Sequence, residues 1–206
     1  MVGSAASKEA FLQLAAPGIL HVATHGFFLG DPSAVPDTRG VDTFGELAGV
    51  RPRQIPADPL LRSGLVLAGA RSAAASSHDA RSPLGNSLVT ALEIAGMNLW
   101  GTQLVVLSAC ETGRGSVSLG QGVYGLRRAF IIAGAETVVT SLWKVDDATT
   151  RELMEVFYQK LLGGEGRAQA MRNAMEAVRV QHPHPYHWAP FIVVGSDAPL
   201  RGLMSH

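Results

Sequence analysis

The chain has 206 residues, 47% of them hydrophobic and 17% charged, a size and composition suited to one domain with a substantial core. Lys+Arg and Asp+Glu each number 17, so the formal charge is zero, and neither nucleic acid nor an anionic membrane is favoured as a partner. One cysteine excludes an intrachain disulfide and fits a reducing compartment. No basic-then-apolar leader and no bilayer-length apolar run is visible, so the expected location is cytoplasmic.

Ser4 to Ala16 is expected to form a short amphipathic helix with Phe11, Leu12 and Leu14 on its apolar side. Ile19–Thr24 follows as a buried strand and ends in His25-Gly26. Phe27 to Asp58 is rich in Pro, Gly, Asp and Arg and has no clear period; a loop of that length inside a compact domain is usually functional or mobile. Ser63–Ala68 reads as a short strand. Arg71–Asn86, rich in Ser and Ala, carries little order signal. Thr90–Leu99 reads as a helix with Thr90 as N-cap and Glu93 at the capping-box spacing.

Leu104–Ala109 is the most apolar strand and ends at Cys110; a polar, glycine-bearing loop runs from Glu111 to Gly120. Gln121–Ala133 is a helix by the spacing of Val123, Leu126, Ala129, Phe130 and Ala133. Thr137–Trp143 is a strand. Asp147–Leu162 is a helix with Leu153, Met154, Phe157, Tyr158 and Leu161 at helical spacing, stopped by Gly163-Gly164. Arg167–Val180 is a further helix, and Trp188–Gly195 is the last strand. The alternation predicts an α/β fold, a mostly parallel sheet with helices on both faces. Ligands in such sheets sit beyond the carboxyl ends of the strands, where His25 and Cys110 are both expected.

A thiol and an imidazole at neighbouring strand ends can form a nucleophile–base pair. The alternative for Cys110 is a small buried core residue; its strand-end position and the polar, glycine-bearing segment after it favour reactivity. His25 alone is as readily a hydrogen-bonded structural group. Gly26 beside it lets a substrate carbonyl approach the backbone, so the amides of Gly26 and Cys110 can bind a developing oxyanion. His21 shares the parity of His25 but is expected in the core. Glu111 is expected to turn its carboxylate away from the thiol and bond loop amides.

The motifs His-Val-Ala-Thr-His-Gly-Phe-Phe and Val-Val-Leu-Ser-Ala-Cys-Glu-Thr-Gly resemble those of the CHAT domain family, related to caspases and separases. The resemblance runs on through residues 122–130, 133–135, 141–147 and 186–191. It implies a caspase–haemoglobinase-like fold and a cysteine endopeptidase with a His25–Cys110 dyad, acting through an acyl-enzyme on a protein or peptide substrate. It needs neither metal nor organic cofactor. It also implies a helical-repeat (TPR-like) partner segment that activates the site. The family's strands ahead of the histidine strand are not found here. Residues 1–206 are therefore expected to be a single domain that is the C-terminal part of a larger domain or protein.

Asp146 and Asp147 have two readings: a helix N-cap with its dipole interaction, or carboxylates lining a pocket for Arg or Lys before the scissile bond. The similarity to the separase segment favours Asp147 for the pocket. Trp143 is either an apolar wall of that pocket or packing. His182, His184 and His187 lie among prolines and read as a turn-rich connector rather than a metal site. Gly120-Gln121-Gly122-Val123-Tyr124-Gly125 resembles a phosphate loop, but it follows a loop, not a strand, and reads as helix packing. A non-catalytic interaction or regulatory module on the same fold is the alternative to the enzyme.

Overall fold

The computed structural model describes residues 3–28, 58, 60–68, 87–108, 119–143 and 146–202. Cys110, most of the long loop after Phe28, the segment 71–86, the loop 111–118 and the pair 144–145 lie outside the described residues.

The central sheet has the order β1–β5–β6–β7, where β1 is Ile19–Val22, β5 Leu104–Leu107, β6 Thr137–Ser141 and β7 Phe191–Gly195. β1, β5 and β6 run parallel and β7 antiparallel. Strands covered on both faces read as continuous apolar runs, and every residue of β5 and β6 is buried. Alternation along β5 sends Val105 and Leu107 to one core and Leu104 and Val106 to the other.

On the first face lie α1 (Lys8–Leu12), α2 (Ala91–Ala95) and α3 (Leu119–Ile132), contributing Phe11, Ile94, Leu126, Ala129 and Phe130. On the second lie α4 (Asp147–Leu162) and α5 (Arg167–Gln181), contributing Leu153, Phe157, Leu161, Met171 and Ala174. The α/β architecture with helices on both faces is therefore as expected.

Thr90 caps α2 and Glu93 closes the capping box. Gly96 follows as the C-cap, so the helix is much shorter than the expected Thr90–Leu99. The expected Ser4–Ala16 helix is a 3₁₀ turn at Gly3–Ala5 followed by α1, because Ser7 caps a fresh start by accepting from the Ala10 amide.

A second sheet was not anticipated. β2 (His25–Phe28), β3 (Ser63–Val66) and β4 (Leu88–Thr90) form an antiparallel ribbon in that order. Phe27 and Phe28 thus belong to a strand rather than to a loop. The last strand is also shorter than expected: Trp188 closes a single-turn helix α6 (Pro185–Trp188), begun by His184 as N-cap and proline in its first positions.

Candidate active site

β1 and β5 are paired in register from Ile19 opposite Leu104 to Val22 opposite Leu107. The pairing continues one residue further, where the Ser108 amide donates to the Val22 carbonyl at 3.1 Å. The two chains therefore leave the sheet side by side at its carboxyl edge. β6 is parallel to β5, so Leu142, Trp143 and the start of α4 emerge at the same edge.

His25 is three residues beyond the end of β1, not on it. It opens β2 opposite Val66, and it is exposed to solvent. The Thr24 hydroxyl donates to the Val66 carbonyl and ties the short connection between the two sheets. Gly26 is buried opposite Leu65. Phe27 holds β2 down: its ring lies 2.5 Å from where a Cβ on Gly64 would stand, and the Val89 carbonyl lies 2.1 Å from that point. Only glycine fits at Gly64. The imidazole is thus carried by a paired strand rather than by a free loop.

Asp146 and Asp147 separate cleanly. Asp146 is the N-cap of α4; its carboxylate accepts from the Thr149 amide at 3.0 Å and the Ala148 amide at 3.1 Å. The Thr149 amide leads the causes that hold its pKa below the ordinary 3.8, with slight desolvation opposing, and the Ala148 amide and the nearby His187 add to it. Asp147 occupies the first turn, is exposed, and has no hydrogen-bond or ion-pair partner among the described residues. Trp143 is half-buried against the second core, and its indole N–H donates to the Tyr186 carbonyl at 3.1 Å. Its side chain anchors α6 to the sheet edge.

A hydrogen-bonded cluster at this edge escaped the sequence reading. His21 Nε2 lies 3.2 Å from Ser108 Oγ, and His21 Nδ1 lies 2.9 Å from the Tyr158 hydroxyl of α4. The His21 and Tyr158 rings are 5.8 Å apart. His21 is exposed rather than in the core, because β1 is the edge strand of the sheet among the described residues. Its ring is nonetheless desolvated by these neighbours, which lowers its pKa from 6.5. Burial pushes the Tyr158 phenol up to about 12. The sequence signal was alternation: Ser108 follows Val106 by two residues, and Val106 faces α4.

Of the remaining histidines, His182 pairs with Glu152 at 3.3 Å and His184 caps α6. Among the described residues no group of three or more His, Cys, Asp or Glu side chains is placed to hold a metal ion. No helix among them is long and apolar enough to cross a membrane.

The profile of the CHAT domain matches residues 1–196. The chain belongs to the CHAT domain family. This CHAT domain is 32% identical over 209 residues to tetratricopeptide repeat protein 28 of Mus musculus, covering 100% of the chain and 8% of that protein. It is 36% identical over 125 residues to tetratricopeptide repeat protein 28 of Homo sapiens, covering 60% of the chain and 5% of that protein. The CHAT chain thus spans a small fraction of the curated relatives it matches.

Proposed function

We propose that this CHAT domain is a cysteine endopeptidase with Cys110 as nucleophile and His25 as its base. The observation that carries the reading is the parallel pairing of β1 and β5 up to the Ser108–Val22 bond. It brings the segment ending in His25 and the segment leading to Cys110 off adjacent strands at one edge, where α/β sheets hold their ligands.

The chemistry follows the acyl-transfer pattern. Cys110 Sγ attacks the scissile carbonyl as the thiolate, its proton passing to His25. The amides of Gly26 and Cys110 donate to the oxyanion, each such bond contributing about 3–4 kcal/mol to the transition state. The C–N bond breaks, and His25 returns the proton to the leaving amine. Water then attacks the thioester with His25 as base and releases the free thiol.

Asp147 is the residue that selects Arg or Lys before the scissile bond. Asp146 is committed to its cap, whereas Asp147 is exposed one residue further at the same edge. A planar guanidinium pairs with such a carboxylate through two hydrogen bonds. Trp143 borders this pocket as its packed base. Residues 1–206 act as one domain within a larger assembly, and a helical-repeat segment, of the kind named in both relatives, brings the site into its active form.

A peptide library with all residues before the scissile bond tests the assignment. With a helical-repeat partner segment present, the wild-type chain is expected to cleave after Arg and Lys. Asp147→Ala is expected to lose that preference while Cys110 stays reactive to iodoacetamide. An unchanged preference removes Asp147 from the pocket.

A further inference from the structure

We propose that His21 is a positioning residue of this site: bound to Tyr158 on one nitrogen and Ser108 on the other, it fixes the point where β5 gives way to the segment carrying Cys110. The inference rests on the peptidase reading and adds to the dyad a group four residues before His25. Three elements meet in it, namely the edge strand β1, the end of β5 and helix α4.

A neutral imidazole has one donor and one acceptor nitrogen. Tyr158 remains a phenol across the physiological range, so its O–H is available to donate to Nδ1. With Tyr158 as donor the proton sits on Nε2 and faces Ser108 Oγ at 3.2 Å; in the other tautomer the Ser108 hydroxyl donates to Nε2, and the same two contacts hold the ring. The Ser108 backbone is already fixed by its bond to Val22. Side chain and backbone of the last described residue before Cys110 are therefore both held from β1. Desolvation keeps the ring neutral near pH 7, which this polarity of donors requires. A misplacement of about 1 Å in a nucleophile can cost two orders of magnitude in rate, so such an anchor matters to catalysis without touching substrate.

The test is steady-state hydrolysis of an arginyl peptide by the full chain and its variants. His21→Ala and Ser108→Ala are each expected to lower kcat about tenfold with KM unchanged. The His21→Ala/Ser108→Ala pair is expected to be no worse than the worse single variant, because both break one chain. His21→Gln is expected to recover at least about a third of the activity, since its amide can donate to Ser108 and accept from Tyr158. Tyr158→Phe keeps the ring and removes the hydroxyl; it is expected to lower kcat about threefold and carries the test if His21→Ala does not fold. Unchanged kcat in His21→Ala, multiplying losses in the pair, or a glutamine no better than alanine overturns the proposal. If wild type and Cys110→Ala are equally inactive with a helical-repeat partner segment present, the peptidase reading has failed by itself. Iodoacetamide then decides, because Cys110 is the chain's only thiol. An alkylation rate changed by His21→Ala and restored by His21→Gln upholds the anchor, and equal rates overturn it.

Discussion

The Ser108 amide donates to the Val22 carbonyl at 3.1 Å, joining the ends of two strands more than eighty residues apart in the chain. Adjacent strands lie about 4.8 Å apart. Residues a few positions beyond such a bond therefore start from nearly the same place. His25 and Cys110 are three and two residues past it, which is the geometric basis for proposing that they share one cleft.

The two neighbouring aspartates are expected to fail differently. Asp146→Ala removes the cap of α4 and lowers Tm, whereas Asp146→Asn, which can still accept from the Thr149 amide, largely preserves it. Asp147→Ala is expected to leave Tm unchanged and alter only substrate preference. Thermal melts of the three variants check this. A fall in Tm for Asp147→Ala equal to that of Asp146→Ala would show that the cap is shared.

Thr90 and Glu93 form a reciprocal capping box, and Lys8 of α1 reaches the same carboxylate at 2.6 Å. Thr90→Ala is expected to cost about 1 kcal/mol in urea unfolding. Thr90→Ser is expected to cost less, since it retains the accepting hydroxyl. No difference between them would mean that the cap contributes nothing.

Arg167 is fully buried at the opposite, amino edge of the sheet. It donates to Thr137 at 2.8 Å and to Glu136 at 2.9 Å, and Arg201 pairs with the same Glu136. Arg167→Ala leaves the buried Thr137 hydroxyl without its donor and Glu136 with Arg201 alone, and we expect a loss of about 1–3 kcal/mol. Arg201→Ala, at an exposed position, is expected to change stability far less. Equal losses would contradict the assignment of the buried arginine as the centre of this network.

Stability is expected to fall on acidification in two stages. His21 has a lowered folded pKa through desolvation, so the unfolded chain takes up its proton first. Its contribution is complete above pH 6.5 and is lost as the pH falls from there through the lowered folded value. Three carboxylates act lower down. In Glu136 the Arg201 bond leads, with burial opposing and Arg167 assisting. In Asp146 the Thr149 amide leads. In Glu93 partial burial opposes, but the Lys8 and Thr90 bonds outweigh it. Each contribution is full above the ordinary carboxylate range and disappears as the pH falls through the depressed value. Tm against pH in wild type and His21→Gln checks the first stage, which the variant should lack.

The central sheet was legible because β5 and β6 are buried on both faces and carry no polar alternation to confuse the pattern. The helix from Asp147 to Leu162 was legible from its period and its stops. The antiparallel ribbon was not: Ala23 and Thr24 hardly interrupt the run from Ile19, so one strand was read where two sheets divide. Phe27 looked like the start of a loop because its partner is a glycine, Gly64, whose lack of a side chain makes room for the ring. His21 looked buried because sequence does not reveal which strand lies at the edge. Asp146 and Asp147 were both plausible caps from spacing alone; the amide geometry separates them.

The most direct test of the dyad is the mass of the full chain after treatment with an arginyl chloromethyl ketone, with and without a helical-repeat partner segment. The account expects one adduct, mapped to Cys110, and its loss in His25→Ala, with folding retained in both proteins. Labelling at the same rate without the imidazole, or no adduct under any of these conditions, would contradict a catalytic pair and leave a caspase-fold interaction module as the function of the chain.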